Sequence, residues 1–289
     1  SPADAYGLAK LVNPKSVPKY FGTFKDMVMQ KVSHFTWIPR KNAQDIVFKT
    51  LQPAVRYTKE ECLDLPDVTY QTRDVPLTPQ QDKYYKKLKK EMFIEAAGEE
   101  ITVVNAAAML TKLLQVSAGS IYTDKKEVIE FDVKNRMTAL KDIITEASHK
   151  VIVFAPFRNS IELILTELTK SKISCDCIHG GITMNKRSQI FKSFQESKDP
   201  QVLVIQPQSA SHGVTLHAAN VVVFWSPVVS VETYIQCCAR MDRAGQRNPM
   251  TVVHLQGSPV ESKIYKMLQG KIDNHIKLVD LYKEELGFE

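Results

Sequence analysis

The sequence predicts an α/β domain in which a parallel sheet is covered by helices on both faces. Short, continuously apolar segments recur along the second half of the chain, and helix-like segments with an apolar face lie between them. Parallel strands that are buried on both faces have this uninterrupted apolar composition, and helices return the chain from one strand to the next. In such sheets, ligands bind at the loops that follow the carboxyl ends of the strands. We therefore sought functional residues in those loops.

Five apolar segments are predicted as strands of this sheet. In chain order they are VIVFA (151–155), ISCDCI (173–178), VLVIQ (202–206), NVVVFW (220–225) and TVVHLQ (251–256). The helix after the second strand opens on Thr183, a residue type that caps helix N-termini. The helix between the last two strands contains the stretch YIQCCARMDRAGQRNP (234–249). The loops of interest are consequently HGG, QPQSASHGVTL and the Trp-Ser-Pro turn.

The first half of the chain lacks this alternation. VTYQTRDVPL (68–77) is typical of an extended strand, and a helix follows with Thr78 as its N-cap and Pro79 at its first position. A second helix ends near Gly119. We expect three parts, which are a region of helical insertions, the α/β domain and a C-terminal helical extension, at residues 1–135, 136–257 and 258–289.

Composition and charge restrict the kinds of partner, cellular location and metal site that we expect. The net charge of +6 is compatible with a polyanionic partner without requiring one. No apolar run is long enough to span a membrane, and the N-terminus has no secretory pattern, so we expect a soluble, cytoplasmic protein. The five cysteines have neither disulfide-framework nor zinc-site spacing, which predicts reduced core cysteines and no metal site. A cluster of lysines is either a solvated helix face or a phosphate-contacting patch: Lys83, Lys86, Lys87, Lys89 and Lys90.

Three polar residues near the end of the chain could act together. Gln236, Arg240 and Arg243 are spaced four and three apart, so they share one face if they lie on a helix. Two converging guanidinium groups suit a phosphate or a transferring phosphoryl group. The alternative is an exposed arginine pair that is salt-bridged to Asp242 or to another carboxylate. Spacing alone leaves both interpretations open.

The loops offer weaker candidates, each with an alternative. The glycines of HGG (179–181) could let the backbone approach an anion closely, or could simply meet the dihedral needs of a tight turn. Ser209, Ser211 and the backbone around Gly213 could contact phosphate or ribose, or form a polar surface loop. Trp225 is either a core aromatic or a stacking or backbone contact for nucleic acid.

Three absences restrict the chemistry. The sequence contains no G-x-x-x-x-G-K-[ST] phosphate loop, and no acidic pair after an apolar strand that could hold magnesium. It also lacks the G-x-G-x-x-G fingerprint of a Rossmann-type dinucleotide enzyme. A chain with these arginines and no phosphate cradle cannot easily hydrolyse a nucleotide by itself, so the arginines must point at something bound elsewhere.

At this point the motifs resemble a known family. Q-x-x-x-R-x-x-R-x-G-Q, from Gln236 to Gln246, resembles motif VI of the Swi/Snf-type DNA-dependent ATPases of helicase superfamily two. VIVFAPF resembles motif IV, and SASHGVTLHAANVVVFWSP resembles motif V with the Trp-containing element after it. HGGITMNKRSQIFKSFQ, the Leu-x-Pro to Leu-Thr-x-x-Gln segment (51–81) and the Phe-Gly-x-Phe element (21–24) also match, in the family's order.

The resemblance implies a fold and a function. The fold is a second RecA-like domain, similar to P-loop NTPases, with helical insertions and a C-terminal extension. SPADAYGL resembles the residues after motif III, so a first RecA-like domain is expected to be missing from this chain. The implied protein is an ATP-dependent translocase or helicase of double-stranded DNA, monomeric and of phage or bacterial type. ATP and Mg²⁺ would be held mainly by the missing domain, and this chain alone would be inactive.

The resemblance also implies roles for single residues. Arg240 and Arg243 would be arginine fingers, and Gln236 would lie at the γ-phosphate or couple it to DNA. Gly213 would lie near the ribose, although Ser211 and His212 replace glycines of the family pattern. Five residues would line the DNA track: His179, Gly180, Ser209, Ala210 and Trp225. The alternative is a non-catalytic nucleic-acid-binding module that retains the helicase C-terminal fold.

Overall fold

The chain divides into two compact units, Ser1–Leu63 and Asp64–Glu289. The computed structural model describes residues 1–33, 37–54, 59–96, 103–122, 127–210 and 215–270. Gly213 and the end of the predicted C-terminal extension lie outside these ranges. None of the described helices is long and apolar enough to cross a bilayer.

The unit Ser1–Leu63 is largely helical, as predicted. Its elements are α1 (Ala5–Val12), α2 (Phe21–Val28), β1 (Met29–Lys31), β2 (Trp37–Pro39), α3 (Ala43–Thr50) and α4 (Lys59–Cys62), with single 3₁₀ turns at Pro2–Asp4 and Pro14–Ser16. The strands β1 and β2 form an antiparallel pair, which the sequence did not predict. Phe24 and Val28 on α2 are fully buried and form the centre of a small separate core.

The unit Asp64–Glu289 alternates strands and helices. Its elements are β3 (Val68–Asp74), α5 (Pro79–Ala96), α6 (Val103–Ala118), β4 (Ser120–Tyr122), β5 (Val128–Glu130), α7 (Lys134–Glu146), β6 (Lys150–Phe154), α8 (Arg158–Lys170), β7 (Cys175–Ile178), α9 (Met184–Glu196), β8 (Val202–Ile205), a 3₁₀ turn (Pro207–Ala210), β9 (Ala219–Phe224), α10 (Val231–Cys238), β10 (Met250–Gln256) and α11 (Pro259–Leu268). All five predicted apolar strands are present, and the extended segment at 68–77 contains β3.

Six strands form one parallel sheet in the order β3-β10-β9-β6-β8-β7. Alternate side chains of each strand enter two different cores. Ile152 and Phe154 pack with α5, α6, α9, α10 and α11, whereas Val151 and Val153 pack with α7 and α8. Burial on both faces explains why these strands are continuously apolar. The predicted α/β architecture is therefore confirmed.

The first predicted region contributes to this same sheet. β3 pairs in parallel with β10 along its whole length, from Val68 opposite Met250 to Asp74 opposite Gln256. The helix after β3 starts as expected, because Thr78 and Gln81 exchange hydrogen bonds between backbone N–H groups and side-chain oxygens. The proposed divisions at residues 135 and 257 stay predictions.

Candidate functional site

The candidate residues lie at both edges of the parallel sheet. The HGG loop follows β7, the 3₁₀ turn follows β8, and Trp225 follows β9, so these three lie at the carboxyl edge. The arginines lie in the connection that leads from α10 into β10, and their backbone and Gln246 contact Leu216 and Ala219 at the start of β9, at the amino edge. The strands β7 and β8 are adjacent, and β6 lies between β8 and β9. The rule that ligand-binding loops gather at the carboxyl edge therefore describes the three loops and not the arginines.

The two arginines do not lie on the helix that carries Gln236. α10 ends at Cys238, and the backbone then runs through tighter turns, with the N–H of Arg240 donating to Cys237 O at 3.2 Å and the N–H of Arg243 donating to Met241 O at 3.0 Å. The prediction that all three side chains share a helix face is therefore wrong for Arg240 and Arg243. We call residues 239–246 the arginine turn.

Contacts from a neighbouring segment explain why the helix stops there. The carbonyl oxygen of Arg240 accepts a hydrogen bond from the N–H of Leu216 at 2.9 Å, so it is engaged outside the helix. Gln246 is buried, and its amide donates to Ala219 O at 2.9 Å. Gly245 has φ of +100°, a conformation that favours glycine. The arginine turn is thus fixed on the segment before β9.

Arg240 is the unusual residue of the arginine turn. Its side chain is only 5% exposed, and its Nε and Nη1 atoms have no hydrogen-bond partner within the described ranges. Burial lowers the pKa of the Arg240 guanidinium, and the positive charge of Arg243 lowers it further. The interpretation as an exposed, salt-bridged surface pair is therefore wrong for Arg240. Two buried, unpartnered donors on a cation are suited to an anionic ligand.

The other two residues of the group are better satisfied. Arg243 is half-buried, and its Nε donates to Ala239 O at 3.0 Å. The Gln236 amide donates to Glu232 Oε1 at 3.1 Å on the surface of α10. Gln236 therefore lies on α10, the helix that precedes the arginine turn, and its amide is engaged by Glu232.

The HGG loop is open to solvent on its glycine side. Neither Gly180 nor Gly181 has a positive φ, and a Cβ on Gly180 would have open space around it. Neither backbone conformation requires glycine, but a Cβ on Gly181 would lie 3.1 Å from His179 Cε1, so only Gly180 leaves open space. His179 accepts the N–H of Gly181 at Nδ1, 3.0 Å away, which places the ring proton on Nε2. Burial and the charges of Arg158 and Arg187 lower the pKa of His179.

The loop after β8 is only partly described. Ser209 is buried within the 3₁₀ turn, where its N–H donates to Gln206 O at 2.8 Å, and Ala210 is the last residue of that turn. Gln206 in turn accepts the N–H of Gly180 at 3.4 Å, so the loops after β7 and β8 are joined. The ribose contact expected for Gly213 lies outside the described residues.

Trp225 is a core residue. Its indole is fully buried, and Nε1 donates to Ala118 O at 2.9 Å. The interpretation of Trp225 as a core aromatic is therefore correct for its side chain, and stacking on nucleic acid is excluded because the ring has no exposed surface. A contribution of its backbone to the DNA track stays a prediction. The carbonyl oxygen of Trp225 accepts a hydrogen bond from Arg136, which also pairs with Glu261 at 2.8 Å. The sequence did not predict this buried ion pair.

Part of this chain is similar to known helicase C-terminal domains. The helicase conserved C-terminal domain family matches residues 135–245, which contain four strands of the sheet and all but one residue of the arginine turn. A SWI/SNF-related matrix-associated actin-dependent regulator of chromatin, subfamily A-like protein 1, of Xenopus tropicalis is 25% identical over 198 residues. Residues 135–245 are thus similar to helicase C-terminal domains, and the longer alignment is to a SWI/SNF-related protein. The aligned residues make up 64% of this chain and 21% of the Xenopus protein.

A phage protein and a solved structure are also similar to this chain. Putative protein p41 of Acyrthosiphon pisum secondary endosymbiont phage 1 is 25% identical over 199 residues, which are 66% of this chain and 41% of p41. The SWI2/SNF2 ATPase core of Sulfolobus solfataricus, solved in complex with dsDNA, matches with a TM-score of 0.61 and 20% identity. The match covers 96% of this chain and 60% of that one, and it confirms the predicted RecA-like fold. The helicase C-terminal chain described here spans less than half the length of p41 and of the Xenopus protein.

Proposed function

We propose that this chain supplies arginine side chains and part of the DNA-binding surface to an ATP-dependent DNA translocase or helicase. The observation that supports the proposal is the buried guanidinium of Arg240, with two donors that have no partner within the described ranges. Burying an unpartnered charged donor costs free energy. A ligand that completes the hydrogen bonds of such a buried arginine therefore gains more binding free energy than it would from an arginine that is already hydrated. Phosphate oxygens have the charge and the geometry for this.

The proposed chemistry is charge stabilisation during phosphoryl transfer. The nucleotide would be held by the phosphate loop of another RecA-like domain. Arg240 and Arg243 would donate to the γ-phosphoryl oxygens as negative charge builds up there, with Gln236 beside them. The arginine turn is fixed by Gln246 and by the Leu216–Arg240 backbone bond. A fixed turn reduces the reorganisation that the arginines need, and such preorganised groups act in the transition state.

The proposed DNA contacts come from the loops after β7 and β8. Gly180 and Gly181 are exposed, and Arg158 and Arg187 lie close enough to His179 to lower its pKa. Backbone N–H groups and arginines are typical phosphate contacts. The structurally similar Sulfolobus core was solved with dsDNA, which supports double-stranded DNA as the ligand proposed here. Ser209 and Ala210 would contribute backbone, since the Ser209 side chain is buried. Such binding is expected to weaken steeply with salt.

Magnesium is not assigned to residues of this chain. Among the described residues, no group of three or more histidine, cysteine, aspartate or glutamate side chains could hold a metal ion. The ATP phosphates fit the donors of Arg240, whereas Mg²⁺ would have to be held elsewhere. We therefore propose that hydrolysis needs the first RecA-like domain and that cleft closure between the two domains drives movement along DNA. A monomeric, cytoplasmic protein stays a prediction.

The role of the arginines is tested in the complete protein. We expect Arg240→Ala and Arg243→Ala each to lower kcat for DNA-stimulated ATP hydrolysis by about 10³-fold, with little change in ATP binding. The matched control is Arg247→Ala, which removes an exposed arginine just after the arginine turn. Unchanged turnover in the Arg240 variant, or an equal loss in the Arg247 variant, would refute the role. DNA binding by the complete protein without any hydrolysis would instead indicate a non-catalytic binding module.

A further inference from the structure

The positive charge of the chain is concentrated in the unit Ser1–Leu63. Residues 1–63 contain ten lysines and arginines against five aspartates and glutamates, which gives +5 of the net +6. The remaining 226 residues contain 28 against 27 and are almost neutral. The candidate site described above lies entirely in the second unit. The charge of the first unit therefore needs its own explanation.

The Phe-Gly-x-Phe element of this unit has two different phenylalanines. Phe24 is fully buried in the small core of residues 1–63. Phe21, at the first position of α2, is 50% exposed, and Tyr20 before it is 67% exposed. Core packing explains Phe24 but leaves two adjacent aromatic side chains at the surface. Adjacent exposed rings are a common feature of surfaces that stack on bases.

Two lysines are held beside these rings. Lys10 on α1 donates from Nζ to the carbonyl oxygen of Lys19 at 3.5 Å and to Tyr6 Oη at 3.4 Å. The Lys19 ammonium lies 5.5 Å from the centroid of the Tyr20 ring. Lys10, Lys19, Tyr20 and Phe21 are all exposed, and we call them the Tyr20–Phe21 surface.

Tyr6 on α1 contacts both the backbone of Lys19 and the ring of Phe21. Its hydroxyl donates to Lys19 O at 2.8 Å, which ties the segment before α2 to α1. Its ring packs edge-on against Phe21, with centroids 5.6 Å apart. The positions of the two lysines and the two outward rings are thus set before any partner arrives. Prior ordering reduces the entropy cost of binding.

We propose that the Tyr20–Phe21 surface binds a single-stranded nucleic-acid segment. The Tyr20 and Phe21 rings would stack on unpaired bases, and Lys10 and Lys19 would contact the flanking phosphates. Stacking on aromatic side chains tolerates any base, and lysines add a contribution that depends on salt. A duplex offers phosphates but no free base faces, so the rings favour a single strand. The surface belongs to the unit Ser1–Leu63, whereas the proposed arginine and HGG contacts belong to the unit Asp64–Glu289.

A protein partner is the competing explanation for exposed apolar side chains in this unit. Leu8 and Leu11 on α1 are exposed. At about 100° per residue, however, they lie about 160° and 100° around the helix from Lys10, on other faces of α1. A protein that covers those leucines does not account for lysines paired with rings. Nucleic acid accounts for both kinds of side chain.

The test is binding of the 289-residue chain to a fluorescent oligo-dT single strand, followed by anisotropy over a range of salt concentrations. Tyr20→Ala/Phe21→Ala is expected to weaken binding at least about fivefold, as for loss of one stacked base. Lys10→Gln/Lys19→Gln is expected to reduce the slope of log K against log salt by about 1.4, or about 0.7 for each phosphate contact. The matched control, Phe48→Ala/Lys49→Gln on α3, changes an exposed ring and a neighbouring exposed lysine and is expected to have little effect.

Photocrosslinking identifies the contact directly and does not depend on variants that fold. An iodouracil-substituted single strand is expected to form adducts on Tyr20 or Phe21. Adducts only at other residues, or equal losses of affinity in the surface variants and the Phe48/Lys49 control, would overturn the proposal. If the surface variants lost binding to a protein partner while their affinity for oligo-dT stayed unchanged, the proposal would be overturned as well. Arg240→Ala should keep oligo-dT binding, so this proposal and the proposed function can fail separately.

Discussion

The buried pair of Arg136 and Glu261 gives the sharpest stability prediction. The two side chains are 4% and 0% exposed, and Arg136 Nη2 lies 2.8 Å from Glu261 Oε2. The same carboxylate oxygen accepts the N–H of Gly257 at 2.8 Å. Arg136→Met removes the cation and leaves a fully buried carboxylate without a charged partner. Breaking a buried pair in this way costs about 3–5 kcal/mol.

Urea unfolding of the 289-residue chain measures this cost. Arg136→Met/Glu261→Gln is expected to recover at least about 1 kcal/mol of the loss, because glutamine keeps an acceptor for the Gly257 N–H without a charge. The matched control is Arg73→Met, which breaks an exposed Arg–Glu pair of similar distance, 2.6 Å, and is expected to cost about 0–1 kcal/mol. If Arg136→Met cost no more than Arg73→Met, the reasoning about burial would be refuted.

Three further predictions concern the same unit. Burial lowers the pKa of His254 from 6.5 to about 4, so the imidazole takes up a proton on unfolding between these pH values. In urea titrations, the free energy of unfolding of the wild type should therefore fall by about 3 kcal/mol more than that of His254→Gln as the pH falls from 6.5 to 4. A Cβ on Gly257 would lie 2.2 Å from a backbone oxygen, so Gly257→Ala should lower the melting temperature by several degrees, whereas Gly22→Ala, with open space, should not. Gln246→Glu places a carboxylate oxygen against a backbone carbonyl oxygen and should destabilise the arginine turn, seen as faster local amide exchange.

The strands of the sheet could be predicted because their information is local. VIVFA (151–155) and VLVI (202–205) are apolar at every position, and both faces of each strand are buried in the structure. Membership of β3 in the sheet could not be predicted in this way. Its sequence VTYQTRD is mostly polar and exposed, and its partner β10 lies about 180 residues further along the chain. Pairing over such a distance leaves no periodic signal in either segment.

The structure changes the geometry that the sequence predicts for the candidate site. Spacing brought Arg240 and Arg243 together, but α10 ends before both because Leu216, a distant residue, engages the Arg240 carbonyl oxygen. Burial of Trp225 and the Arg136–Glu261 pair also depends on residues more than 80 positions away. The Ser258–Glu261 capping box was the one local signal that could have drawn attention to Glu261. Local patterns predict elements, whereas nonlocal contacts decide where an element ends and what it buries.

The central claim is that this chain holds only one half of an ATP-hydrolysing site. The most direct test compares DNA-stimulated ATP hydrolysis by the purified 289-residue chain, by the complete protein and by the complete protein with Arg240→Ala. We expect hydrolysis by the complete protein alone, because the chain has no phosphate loop and the variant lacks the buried donors of Arg240. Robust DNA-stimulated hydrolysis by the 289-residue chain, or full activity of the Arg240 variant, would contradict the claim.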